Sequence, residues 1–555
     1  MTPTRRAQAP RRSDLPLAPL LGAVLLLAAC GASSREPTVA VTGSVFAAPV
    51  SGATVTVRDG AGSAVAGPVT SSAAGAFTVE VPERQLARPL FVEASGGTFT
   101  DEATGAATAA GTLLAHAAAG TLSAGSAVHL TPQSTTVASM VQHGLTLAQA
   151  NAACQAAFGF APDTAVAPVN AAVATGGDLA PAQAALRAGA LSQLAKELGL
   201  PAARQFELFH ELARDAADGA LDGRDDATQL TVGAVAIPAD VQNRFSAALM
   251  TWSADTTRNL TGLKVDQIGA PPFAQKALTA SYQVEYLPGP TAPMVQRSPF
   301  RVRVTDRTSG AAVPGLAVGL LPRMHMSTRS HAAPVDPVVD LGDGTYACTV
   351  YYVMSSATAD GTSMGVWELG VALGGTGGET ATFYPQVGMA TGSTQFVKLS
   401  GGAADRIYLP PTPPATTGSS TARTYQLFND GLTLAGGSAT FSVLVTTMDT
   451  MMSFPHLMAG ATLHQPAPVV PPATGPTAAD PWVVGAVVVE VSTSPGAGAS
   501  WVPADHVGDG HWSAAGLAGL AAGTPSTLGV RLTVDGVVKA LADGSADHAT
   551  FTVTP

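Results

Sequence analysis

Charge is what this 555-residue chain has least of: Asp, Glu, Lys and Arg together make up 12% of it, well under the usual quarter. What charge there is leans acidic, 39 acidic against 28 basic residues, so a phosphate backbone is excluded as a natural partner and no nucleic acid is expected. Cysteine is equally scarce. Cys30, Cys154 and Cys348 are the three, too few for a disulfide framework and without the spacing of a zinc site. After the first thirty residues no apolar run approaches the roughly 20 residues of a membrane-spanning helix. Enzyme signatures are missing too. There is no phosphate loop, and His210-Glu211 lacks the second histidine of a zincin helix. Gly361-Thr362-Ser363-Met364-Gly365 has the letters of a hydrolase nucleophile elbow, but it leads into a strand pattern where that motif needs a helix.

What the chain does have begins at its N-terminus. Arg5, Arg6, Arg11 and Arg12 precede an apolar run from Leu17 to Ala29, too short to span a bilayer, in the layout of a signal peptide. The run ends in Leu27-Ala28-Ala29-Cys30, which resembles a bacterial lipobox; the resemblance implies cleavage before Cys30 and a diacylglyceryl group on its sulfur. The leader's four Arg and one Asp removed, 24 basic and 38 acidic residues leave the mature chain at a net charge of −14. The expectation is a soluble chain tethered by lipid in the cell envelope, on the outer membrane, facing the periplasm or the surface.

From Thr38 the residues alternate apolar with small polar between Gly, Pro and Ser turns, the pattern of half-buried strands. Val-x-Gly-x-Val, then Pro49-Val50-Ser51-Gly52-Ala53-Thr54-Val55, then Gly75-Ala76-Phe77 resemble the carboxypeptidase regulatory-like domain over 38–115. That resemblance implies a spacer β-sandwich without catalysis. Near residue 130 the period changes to that of helices, and 130–265 reads as a helical module, with Thr146 an N-cap and Phe206, Phe209, Leu212 and Ala213 on one face. Its acidic run, Asp215, Asp218, Asp222, Asp225 and Asp226, holds calcium-type ligands but not the spacing of an EF-hand loop, and reads as a solvated helix end and turn. Two β units follow, at 275–405 and 422–555, parted by a Pro/Thr run. Gly342-Asp343-Gly344-Thr345-Tyr346 in the first recurs as Gly508-Asp509-Gly510-His511-Trp512 in the second, which suggests diverged copies.

Methionine and histidine are concentrated in these two units: ten of thirteen Met and seven of eleven His lie beyond residue 275. Pro322-Arg323-Met324-His325-Met326 runs on to His331, and Met448, Met451, Met452, His456, Met458 and His464 form a looser echo. Thioether sulfur with imidazole nitrogen is the ligand set of a soft ion, Cu(I) above all. On a strand, Met324 and Met326 share one face and His325 takes the other, so the set proposed is Met324, Met326 and His331, meeting if the chain turns after Ser327. The competing reading is that the methionines fill gaps in a core. His506, His511 and His548 read equally well as turn residues. Phe300-Arg301-Val302-Arg303-Val304, Val313-Pro314-Gly315, the Met/His stretch and Gly365-Val366-Trp367-Glu368-Leu369 come in an order similar to YtkA-like and FixH-like envelope domains. Those are immunoglobulin-like sandwiches, and the resemblance implies copper handling.

The sequence thus predicts a multidomain, mainly β protein with a helical insert: an N-terminal β-sandwich, a helical module and two C-terminal immunoglobulin-like β-sandwich units. The function expected is that of a non-enzymatic cell-envelope lipoprotein binding copper at Met324, Met326 and His331, with Met448, Met451, Met452, His456 and His464 as a second set. The alternative is a structural or adhesive surface lipoprotein with no metal, whose sandwiches contact a protein or glycan partner.

Overall fold

The computed structural model describes residues 36–174, 177–390, 394–403, 405–409, 419–464 and 481–555. The expected signal peptide and Cys30 lie outside the described residues. The chain divides into two units, 1–37 and 38–555, and every helix and strand among the described residues belongs to the second. That unit is mainly β with five α-helices among the described residues. None of those helices is long and apolar enough to cross a membrane.

The first sandwich sets a three-stranded sheet, Ala76–Pro82 beside Thr38–Val45 beside Ala127–Leu130, against a four-stranded one, Ala64–Thr70, Thr54–Asp59, Leu90–Ser95 and Leu113–Ala117. Alternation does its work plainly in Ala76–Pro82, where Phe77, Val79 and Val81 are buried and their neighbours face water. Ala127–Leu130 runs parallel to Thr38–Val45, so the sheet is completed only by residues well beyond the strand-rich opening. One residue further on, Thr131 caps the helix Pro132–Gln142 through a reciprocal pair of bonds with Ser134.

Thr146 caps Leu147–Phe158 in the same manner, paired with Gln149, and Gly159 closes that helix in the left-handed region at φ 79°. Leu179–Glu197, Gln205–Ala217 and Val241–Ala254 complete the helical module. Phe206, Phe209, Leu212 and Ala213 are all buried, and a single hydrophobic core runs from Val41 and Phe77 of the sandwich to Phe245 and Trp252 of the last helix. Sandwich and helices are therefore one packed body. At the crossing of Leu179–Glu197 with Val241–Ala254, a Cβ on Gly189 would lie 2.2 Å from the Trp252 indole nitrogen. Gly189→Ala is expected to destabilise by about 1–3 kcal/mol through this overpacking, although alanine is the better helix former by about 1 kcal/mol. Thermal denaturation of the two chains measures the difference.

The acidic run is a turn built from side chain to backbone. Asp215 is fully buried, not solvated, and accepts the Asp222 and Gly223 amides at 2.9 and 2.8 Å. Asp218 accepts the Asp226 amide at 3.0 Å. Cys154 and Cys348 are both buried and unbonded to one another.

In the third domain a five-stranded sheet, Lys276–Leu278, Tyr282–Leu287, Arg297–Asp306, Thr345–Tyr351 and Val339–Asp340, faces a four-stranded one, Ser330–Ala332, Val318–His325, Val366–Leu373 and Glu379–Phe383. The fourth domain repeats this plan with Phe396–Ser400, Thr424–Ala435, Ser438–Thr447, His511–Leu517 and Asp505–Gly508 opposite a sheet centred on Val487–Ser492 and Ser526–Val534; Phe396–Ser400, expected in the unit 275–405, belongs here instead because it pairs with Thr424–Ala435. Both Gly-Asp-Gly turns enter the corresponding strand, Thr345–Tyr351 in one domain and His511–Leu517 in the other. Gly361–Gly365 leads into the strand Val366–Leu373 with no helix after it.

Candidate functional site

Strand Val318–His325 reverses through a tight turn, closed by the Met326 amide donating to the Arg329 carbonyl at 3.0 Å, and returns as Ser330–Ala332. That turn sets Met324 directly opposite His331 in the antiparallel pair, on one face of the sheet. On its other side Met324 is opposite Trp367. Met324 is fully buried and His331 is 4% exposed, while Met326, the first residue beyond the strand, packs half-buried at the edge of that core. His325 points the other way, its Nε2 3.1 Å from Glu368. Met324 and His331 thus share one face at one end of a hairpin, and Met326, in the turn, packs against the same core.

The state of His331 follows from its contacts. Its Nδ1 lies 2.8 Å from the Ala332 carbonyl, which only accepts, so Nδ1 carries the proton and Nε2 presents its lone pair. Burial pulls the imidazole's pKa below its ordinary value, which keeps the ring neutral at neutral pH. Nε2 is buried and has no hydrogen-bond partner. The ring meets the edge of Trp367 at 5.3 Å between centroids, and Tyr352, whose buried hydroxyl also lacks a partner, meets Trp367 at 4.9 Å. A neutral imidazole whose other nitrogen is fixed by a carbonyl, beside buried thioether, is the chemistry of a soft-metal ligand set.

The second Met/His segment runs through the turn 450–453 to the strand Thr462–His464. Met452 is exposed on the turn 450–453, Met448 is half-buried with its amide on the Thr424 carbonyl, and His464 is engaged through Nδ1 with Asp449 at 2.6 Å. His456 lies beside His511, rings 6.2 Å apart. Met451 instead reaches the first segment, its carbonyl accepting the Ala332 amide at 2.9 Å. Among the described residues no group of three or more His, Cys, Asp and Glu side chains is arranged to hold a metal ion.

Sequence reasoning missed the contact that joins the two C-terminal domains. His511 sits between Asp430 and Asp336, at 2.8 and 3.1 Å, and Tyr351 places its hydroxyl 3.0 Å from each of the same carboxylates. Arg297 adds a second cation 2.8 Å from Asp430. Arg297, Tyr351 and Asp336 belong to the third domain, Asp430 and His511 to the fourth. Phe428 and Leu444 of the fourth domain are buried in the core of the third. A second network lies wholly within the fourth domain. Arg423, with no exposed surface, contacts Asp405 and Asp449 at 2.9 Å each and donates to the His464 carbonyl at 2.8 Å.

No family model and no curated protein matches the chain. Among solved structures it is similar to invasin, a bacterial integrin-binding protein, at 14% identity over 49% of this chain and 40% of that one, with a TM-score of 0.15. It is also similar to the Escherichia coli adhesin FdeC, at 15% identity over 51% of this chain and 65% of that one, with a TM-score of 0.14. An endo-fucoidan hydrolase of glycoside hydrolase family 107 shares 11% identity over 58% of this chain and 48% of that one, with a TM-score of 0.12. The chain spans 40% of the first of these and 65% of the second. Superpositions this loose carry no argument about what the chain does. Its immunoglobulin-like β architecture is read from its own sheets.

Proposed function

We propose that the protein is a non-enzymatic, lipid-anchored surface protein with a structural or adhesive role, its β-sandwiches holding loops out to a protein or glycan partner. The observation that carries this reading is the junction between the two C-terminal domains. They share a core through Phe428 and Leu444 and a half-buried polar clamp through His511, so the tandem transmits load instead of bending at a linker. In a flow cell, cells whose chain lacks 419–555 are expected to detach at lower shear than cells carrying the whole chain at equal surface density. Equal detachment would count against the role. The anchor has its own check: Cys30→Ala is expected to move the protein from the membrane to the soluble fraction, and unchanged fractionation refutes lipidation.

A second reading is favoured by the unpartnered Nε2 of His331. On it, Met324, Met326 and His331 hold Cu(I), for which two thioethers and a neutral imidazole are suited donors; the ion would supply the bond that Nε2 lacks. Titration with Cu(I) against a competing chelator is expected to show one bound ion, lost in the chain with all three residues changed to Ala. Equal, weak uptake by both leaves the methionines as packing.

A further inference from the structure

We propose that the pocket between the helix Leu179–Glu197 and the segment 160–166 binds a small monocarboxylate, held by the guanidinium of Arg187. The pocket measures about 90 Å³, several times the room one water needs and little enough to limit the ligand to a small molecule. Ala180, Gln183, Ala184 and Arg187 reach it from the helix, spaced three, one and three residues apart and so on one face. Phe160, Pro162 and Val166 close the other side.

Arg187 is the unusual member of this wall. It is half-buried, yet its guanidinium makes no hydrogen bond and no ion pair among the described residues. The other described arginines whose side chains lack both, Arg88, Arg301 and Arg329, are all exposed to water. Taking a charge out of water without a partner is costly, and arginines away from water are normally paired. The one aromatic contact lies on the face of the group: the Phe160 ring sits 4.5 Å from Cζ and leaves the N–H fork along the edge uncommitted.

The other polar groups of the wall are engaged within the fold. Thr131 accepts the Ser134 amide at 3.0 Å, Gln133 donates to the Ala184 carbonyl at 2.9 Å and Gln183 donates to the Gln267 carbonyl at 2.6 Å. The Oε1 of Gln133 lacks a partner but is buried, out of reach of a ligand. Asp163 is exposed, accepts the Ala165 amide at 2.9 Å and makes no ion pair with Arg187; its charge bears on His129 and not on the guanidinium. Burial lowers the Arg187 pKa from its ordinary value with no carboxylate to offset it, and an arginine stays charged at neutral pH even so. What this pocket lacks is therefore an anion. The edge of a guanidinium matches the two oxygens of a carboxylate through parallel bonds, and Phe160, Val166 and Ala184 suit a short alkyl body. Asp163 on the same wall disfavours a second negative charge, which selects a monoanion over a dianion.

Propionate, propylamine, propanol and sulfate, titrated calorimetrically into the full chain at pH 7, separate these requirements. Propionate is expected to bind about tenfold or more tighter than the other three, the gain of a charge-assisted pair. Arg187→Met keeps an apolar stem against Phe160 and removes the charge, and is expected to abolish the preference with Tm held. Ala180→Trp, at an exposed position on the pocket wall, should block propionate while Arg187 is intact. Propylamine, propanol or sulfate binding as tightly as propionate, a full preference surviving in Arg187→Met, undiminished uptake by Ala180→Trp, or no propionate binding at all would each overturn the assignment.

Discussion

Arg423→Met is expected to cost the fourth domain about 3–5 kcal/mol, read as a lower denaturant midpoint. The side chain is wholly buried, and deleting its charge strands Asp449 with only His464 for company and leaves Asp405 to Tyr425 and Lys539. The penalty is therefore that of uncompensated buried carboxylates, not of a lost surface pair. Replacing Asp449 with Asn beside Arg423→Met should return part of the loss, because one of the stranded charges is then gone. A double variant no more stable than Arg423→Met alone would show that packing around the guanidinium, and not charge, sets the cost.

His511→Gln is expected to weaken the junction of the third and fourth domains by about 3 kcal/mol at pH 6, and by little above pH 9. Its hydrogen bonds to Asp336 and then Asp430, with the attraction of both carboxylates, raise the imidazole's pKa to about 9. A histidine raised in the folded state stabilises fully below its unfolded pKa near 6.5, and that contribution fades as the pH climbs through about 9. The partner works in the opposite sense. Despite its burial, Asp336 is held below the ordinary carboxylate value by His511, so its share is present above about pH 4 and is lost in acid. Unfolding midpoints taken from pH 5 to 10 should show the wild-type advantage shrinking toward the alkaline end. A pH-independent gap between the two chains would remove the ionic clamp from the account.

The strand pattern is legible in the sequence because alternation is a local property, as in Ala76–Pro82. Thr146 is legible as an N-cap because cap and partner lie three residues apart. The Met324 to His331 hairpin is legible for the same reason: turn, register and side-chain face all belong to eight consecutive residues. The His511 clamp is not. Asp336 and His511 are 175 residues apart, and nothing local distinguishes either from an ordinary turn residue. Asp101 escapes notice likewise, for its partners Ser192 and Gln205 lie on helices that the local sequence does not place beside its loop. Asp215 is expected in solvent because acidic runs usually are; its burial on the amides of Asp222 and Gly223 reverses that.

The late arrival of Ala127–Leu130 in the first sheet has a consequence for the order of events at birth. A chain that emerges N-terminus first has made Thr38–Val45 and Ala76–Pro82 long before the strand that covers their open flank exists, and the helices sharing their core end only at Ala254. Roughly the first half of the protein must leave the ribosome before this core can close. A premature stop or a stalled ribosome within that stretch would leave Val41, Val79 and Phe77 uncovered, a ready target for proteases and for association with other unfinished chains.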